Sequence, residues 1–178
     1  MKLHIGCGAR DFGKGWLHVD GGNFPHVKSN DIYCMNLPPE CADVIYASHL
    51  IAYLSEGEMQ KALYYWMQVL KPGGILRLAT PDFDALAEIY VWTHSIKMIE
   101  GPLYGKMKMG DKTIYHKKVY DFNSLATVLH KAGFKDTRLY NWRETEHAHI
   151  DDHSQAYMLP DRDKEKGTLI SLNVECVK

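Results

Sequence analysis

Two periods of hydrophobic residues alternate along this chain. Short apolar runs at 3–5, 16–19 and 43–47, with a further one somewhere in 26–35, read as four strands. A helical period then takes over. Ser55 with Glu58 forms a capping box, and Met59, Ala62, Leu63, Trp66 and Leu70 share one helix face. Residues 71–74, Lys-Pro-Gly-Gly, stop that helix, and 75–80 is a fifth strand. A second helix covers 81–92, with Pro81 or Asp82 near its start. Asp121 caps a third, whose apolar side is Phe122, Leu125, Val128, Leu129 and Ala132, with Gly133 as its C′ residue. Residues 134–140 make a sixth strand. In 168–177, Ile170, Leu172, Val174 and Cys176 alternate with Ser171, Asn173 and Glu175, which predicts a strand with one face better buried than the other. Residues 96–118 show no clean period, and 142–167 read as a long polar loop.

Strands alternating with helices predict an α/β fold around a mostly parallel sheet. The last two strands have no helix between them, which predicts an antiparallel pair. The first half fits less well. A parallel crossover needs about a dozen residues or more, and Gly8 to Trp16, like Gly21 to Pro25, is shorter. Either bare loops join these strands in a pared-down sheet or one strand is misassigned; the pattern favours bare loops.

The chain has 178 residues, which predicts one domain, 1–178, with irregular segments at 96–120 and 142–167. A formal net charge of -1 gives no global basic field for nucleic acid. Cys7, Cys34, Cys41 and Cys176 form no Cys-x-x-Cys pair and read as free thiols of a reducing, cytoplasmic protein. No apolar run reaches membrane-spanning length.

The candidate chemistry lies at the first strand end. Gly6-Cys7-Gly8 would let a ligand approach the backbone, and Asp20 closes the second strand, where a carboxylate can accept from both hydroxyls of a ribose. A dinucleotide would need a third glycine and a helix N-terminus for its pyrophosphate. Asp11 occupies that glycine position, and no helix has room to follow. There is no Walker-type loop either. The pattern suits a nucleoside without phosphates, S-adenosylmethionine being the obvious one: its ribose for Asp20, its zwitterionic tail for the glycine turn.

Taken with residues 37–54, 69–82 and 129–134, these stretches resemble the class I S-adenosylmethionine-dependent methyltransferases. They are most similar to a compact bacterial and phage branch, methyltransferase type 11-like. The resemblance implies a Rossmann-like sheet of order 3-2-1-4-5-7-6 with the seventh strand antiparallel. It implies that Gly6, Cys7 and Gly8 line the methionine side of the cofactor and that Asp20 holds the ribose. Asp31 or Asn36 would face the adenine. Ala47, Ser48 and His49 would lie beside the sulfonium and the methyl acceptor. Two features depart from the family. Ala52-Tyr53 stands where relatives often carry Glu-His, which argues against a catalytic pair there. The first strand begins with no covering segment before it, so the site would be open, or closed by 96–118 or by a partner subunit in a homo-oligomer.

Methyl transfer from a sulfonium needs a base only when the acceptor must lose a proton. His49 is the first candidate and His116 the second; a packing histidine is the plainer reading of each. Asp82 reads as a helix cap and Cys7 as a small residue between glycines. His147, His149, Asp151 and His153 would share one face if extended and could then hold zinc, although a solvated loop is the plainer reading and no metal is assigned. Lys97, Lys106, Lys108, Lys112, Lys117 and Lys118 suit a solvated surface or an acidic small-molecule or glycan acceptor. Two functions follow: methyl transfer to such an acceptor, or a non-catalytic binding module of the same fold. A dinucleotide oxidoreductase is a distant third.

Overall fold

The computed structural model describes residues 1–158 and 162–178. The strands are β1 Lys2–Ile5, β2 Trp16–Val19, β3 Val27–Ser29, β4 Ala42–Ser48, β5 Leu70–Pro81, β6 Met107–Met109, β7 Lys112–Ile114, β8 Lys135–Leu139, β9 Tyr157–Met158, β10 Thr168–Leu169 and β11 Ser171–Val177. The helices are α1 Glu56–Val69, α2 Phe83–Thr93, α3 Ile96–Tyr104 and α4 Phe122–Lys131. Seven strands form one sheet in the order β3-β2-β1-β4-β5-β11-β8. β1 to β5 run parallel, and β11 lies antiparallel between β5 and β8. This is the expected order, with its antiparallel last strand.

No helix separates β1 from β2, β2 from β3 or β3 from β4, so the early crossovers are bare loops. Their consequence shows in the two faces of the sheet. Alternation points Leu3, Ile5, Val19, Ile45, Ala47, Leu76, Leu78, Leu172 and Val174 to one side. There they form a single core with Met59, Ala62, Leu63 and Trp66 of α1 and Leu125 and Leu129 of α4. Both helices start on the predicted caps: Ser55 and Glu58 bond each other's backbone, as do Asp121 and Ser124.

The opposite face carries His4, His18, Tyr46, Arg77, Ser171, Asn173 and Glu175, all on strands. A doubly wound sheet would lay helices here. The segment 142–158 takes their place, together with the loop after β1. Phe12 stacks between His4 and His147, with ring centroids 3.9 and 4.4 Å away. Tyr46 donates its hydroxyl proton to Asp152 at 2.5 Å. Arg77 bonds Glu175 on β11 and Glu146 on the covering segment.

This covering corrects the reading of 168–177. Ser171, Asn173 and Glu175 are only 3, 3 and 8% exposed, so both faces of β11 are buried. The alternation marked a polar face, and that face is satisfied by buried partners rather than by water. Two further expectations change. The fifth strand begins at Leu70, five residues early, because residues 71–74 run into β5 with a register shift against β4. Residues 96–118 are ordered into α3 and a β6–β7 hairpin. Gly101 and Pro102 inside α3, and three-residue strands that are almost wholly exposed, hid both from a pattern search.

Candidate functional site

The glycine turn leaves β1 as its neighbour β2 ends. Gly6 N–H donates to Val19 O at 2.7 Å, and Gly8 N–H donates to Asp20 Oδ2 at 2.7 Å. Gly6 takes φ +71° with Leu50 packed so close that a Cβ would stand 3.1 Å from it. Gly8 takes φ +55° and would meet nothing within 4 Å. The turn is therefore closed on one side by Leu50 and open at Gly8. Asp20 Oδ1 also accepts from Gly22 N–H at 2.7 Å, so its carboxylate joins both loops at this strand end. Each carboxylate oxygen has a second lone pair for a ligand hydroxyl. Beyond Asp20 lies a hollow of about 460 Å³, lined by Gly21, Asn23, Phe24, Lys28, Ser29 and Asn30 among others. Cys7 is buried, and burial with the nearby Asp20 pushes its thiol up to about 12. It is a packing residue, inert as a nucleophile at neutral pH.

The next strand end carries Ser48 and His49. The buried Ser48 hydroxyl has no partner among the described residues. His49 is half-buried and sits at φ +51°, a backbone conformation uncommon outside glycine. Its N–H donates to Ala79 O at 2.8 Å, and its Nε2 lies 3.2 Å from Ser171 Oγ. Burial, with His153, His116 and Arg10 nearby, holds its pKa well below the ordinary histidine value, so the ring is neutral at pH 7.

Ala52 and Tyr53 anchor the 96–118 segment. Ala52 O accepts from Lys117 and Lys118 N–H at 2.7 and 3.1 Å, and Tyr53 donates its hydroxyl proton to Gly105 O at 2.5 Å. From this anchor the hairpin crosses towards the end of β2, where Met109 Sδ packs against Gly21, beside Asp20. The segment expected to be an irregular lid is thus a strap along the carboxyl ends of β4, β1 and β2. His116 belongs to the anchor: its ring packs edge-on against Tyr53 and its Nδ1 is 3.2 Å from Leu103 O. Burial lowers its pKa. Lys117 and Lys118 pair with Glu58 and Glu56 of α1, whereas Lys106, Lys108 and Lys112 are exposed and have no ion pair among the described residues.

The other candidates are placed apart. Asp31 is exposed and turns the chain by accepting from Tyr33 and Cys34 N–H. Asn36 is exposed at φ +52°, and neither it nor Asp31 lines the hollow beyond Asp20. Asp82 caps α2, as expected. The chain from 147 to 153 is not extended: His147 stacks on Phe12, while His153 faces His49 with ring centroids 5.1 Å apart. No group of three or more potential metal ligands converges among the described residues. Residues 159–161 of the 142–167 segment lie outside the described residues. Sequence reasoning missed Ser171 and Asn173 beside His49; their polar alternation was the signal, read only as the less buried face of a strand.

These features fit an adenosyl sulfonium compound. A carboxylate with spare lone pairs meets an open glycine turn, an unpartnered hydroxyl stands nearby, and no helix N-terminus is offered to a pyrophosphate. Comparison with solved structures gives the same class: the fold is that of the S-adenosylmethionine-dependent methyltransferases. A methyltransferase of this kind from Archaeoglobus fulgidus superposes with a TM-score of 0.63 over 99% of this chain and 85% of its own, at 18% identity. One from Methanosarcina mazei gives 0.61 over 99 and 91%, at 13% identity. A Burkholderia thailandensis 1,6-didemethyltoxoflavin-N1-methyltransferase, solved with its acceptor and S-adenosylhomocysteine, gives 0.56 over 99 and 70%, at 13% identity. No protein-family model and no curated protein sequence matches the chain.

Proposed function

We propose that this protein transfers a methyl group from S-adenosylmethionine to a small-molecule or glycan acceptor. The observation that carries this reading is the Asp20 carboxylate tied to Gly8 at the edge of the sheet, with no phosphate-binding helix beside it. Asp20 would hold the ribose, the turn at Gly6, Cys7 and Gly8 the methionine end, and Ser48 and His49 the sulfonium side. Either Asp31 or Asn36 would reach the adenine through a shift of the 30–36 loop. The cofactor supplies an activated methyl group. The chain's own task is to hold the acceptor in line with that methyl group and exclude water, a positioning effect that can remove several kcal/mol from a barrier. The strap would cover the cofactor edge. Exposed Lys106, Lys108 and Lys112 on it would attract an acidic acceptor. His49 would take the acceptor's proton; His116, committed to the strap anchor, is the lesser candidate.

One observation favours a second reading, a non-catalytic binding module: Ala52 and Tyr53 are spent on holding the strap. Thermal denaturation with S-adenosylmethionine, S-adenosylhomocysteine and NAD separates the readings. Both leading ones require a rise in Tm with the first two and none with NAD, and no rise with either contradicts both. Methylated product, detected by mass spectrometry after incubation with a panel of acidic metabolites and oligosaccharides, then distinguishes the enzyme from the module.

A further inference from the structure

A chain of buried hydrogen bonds begins at a group whose role is not open to choice. The backbone oxygen of Ser154 can only accept. It lies 2.9 Å from the Asn173 side-chain nitrogen, which fixes that amide with Nδ2 towards Ser154 and Oδ1 on the other side. Oδ1 also only accepts, and the Ser171 hydroxyl donates to it at 3.0 Å. A serine hydroxyl has one proton. With that proton committed, Ser171 Oγ can meet His49 Nε2, 3.2 Å away, only as an acceptor. His49 therefore carries its proton on Nε2. A neutral imidazole has one proton, so Nδ1 keeps its lone pair, and it has no hydrogen-bond partner among the described residues.

The chain is rigid. Ser171 and Asn173 are each 3% exposed and Ser154 1%. Ser154 is fixed in turn by Asp152, whose Oδ1 accepts from its N–H and its hydroxyl at 2.8 and 2.6 Å, and Asp152 Oδ2 is held by Tyr46. On the other side of the ring, the positive φ and the bond to Ala79 O set where the His49 backbone stands. Such strain persists where surrounding structure enforces it.

We infer that Ser171 and Asn173 are positioning residues that lock His49 in its Nε2–H tautomer, so that Nδ1 is the atom that removes the acceptor's proton. This deepens the proposed function and rests on it. In the step implied, an acceptor oxygen or nitrogen forms a bond to the methyl carbon. The carbon–sulfur bond breaks with its electron pair left on sulfur, and the acceptor's proton passes to Nδ1 and later to solvent. The acceptor is thereby restricted to nucleophiles that shed a proton, such as hydroxyl, N–H or protonated amine groups; a thioether would gain nothing from this base. The charged and titratable groups facing the ring are His153 from the covering segment, His116 from the strap anchor and Arg10 from the glycine loop. Burial disfavours a positive charge on it, and so does the Arg10 guanidinium; His153 and His116, whose own pKa values burial lowers, are neutral at pH 7 and add to the opposition only once protonated, so the base is unprotonated at neutral pH.

Long-range proton–nitrogen correlation spectra of the ¹⁵N-labelled protein read the tautomer directly, with the His49 signals identified by their loss in His49→Gln. The wild type is expected to show Nε2–H and a bare Nδ1 at pH 7. In Asn173→Leu the Ser171 proton loses its acceptor and turns to His49, which moves the imidazole proton to Nδ1. Ser171→Thr keeps a hydroxyl and is expected to keep the wild-type tautomer. An Nδ1–H tautomer or a doubly protonated ring in the wild type overturns the inference, whether or not the variants fold. An unchanged tautomer in folded Asn173→Leu does so as well. Calorimetric titration of the same wild-type sample with S-adenosylmethionine separates the two claims. Binding with the wrong tautomer overturns the positioning role alone. The right tautomer without binding overturns the functional reading, and the base role with it.

Discussion

Single residues carry two predictions here, one on the proposed ligand capture and one on acid sensitivity. Asp20 belongs to the first. Its two oxygens each hold one loop N–H and keep a second lone pair, which the proposed function assigns to a ribose. Asp20→Ala removes charge-assisted hydrogen bonds of about 1.5–3 kcal/mol, so S-adenosylmethionine affinity is expected to fall roughly ten- to hundredfold. The far-ultraviolet circular dichroism should stay that of the wild type. An affinity within twofold of wild type would show that Asp20 does not touch the ligand. His147 belongs to the second. It is 2% exposed, and neither ring nitrogen has a partner among the described residues. Burial lowers its pKa to about 4 and that of His4 to about 2. Above the ordinary histidine value of 6.5 neither group takes up a proton on unfolding. Below it, the unfolded chain gains protons that the folded one refuses, so stability is lost progressively as pH falls from 6.5 through about 4. His147→Phe keeps the stack on Phe12 and is expected to match or exceed wild-type Tm at pH 7.5 and to lose less of it at pH 5. Parallel Tm-versus-pH curves would refute this. At this scale the meeting of Gly8 with Asp20 was legible, because spacing alone puts them at neighbouring strand ends. The Ser171–Asn173 pair was not, since a polar residue held by buried partners has the same letter as one held by water.

Among the elements, legibility followed local signals. The capping boxes of α1 and α4 and their apolar spacing are self-contained, and both helices lie where the sequence puts them. α3 has a proline and a glycine within its span, and the hairpin is stabilised by its turn and its anchor rather than by an apolar face, so neither announces itself. The anchor can be tested. Gly105 ends α3 at φ +54°, and a Cβ there would stand 2.0 Å from the His116 ring. Gly105→Ala is expected to cost at least about 1 kcal/mol and to free the strap. Hydrogen exchange should then accelerate across residues 107–114 while the amides of β5 stay protected. Unchanged exchange in the hairpin would mean that the strap is held some other way.

On the scale of the whole molecule, the short crossovers that looked like a defect of the first half explain the second. With no helix after β1, β2 or β3, one face of the sheet is left to His4, His18, Tyr46 and Arg77, and the polar segment after β8 returns to cover it. The mostly parallel sheet and its antiparallel last pair were readable from the alternation of strands and helices, whereas the strand order came from the resemblance to the class I methyltransferases. The cover was not readable, because its contacts join residues far apart in sequence, 69 positions for Arg77 and Glu146 and 106 for Tyr46 and Asp152. The same absence of a helix leaves no phosphate cradle beside the glycine turn, which is why the proposed ligand is an adenosyl compound without phosphates. Isothermal titration calorimetry of the wild type and Asp20→Ala with S-adenosylmethionine and NAD tests this most directly. One molecule of S-adenosylmethionine per chain, weakened in the variant, with no heat from NAD, is the expected result. NAD binding, or no S-adenosylmethionine binding by the folded wild type, would contradict it.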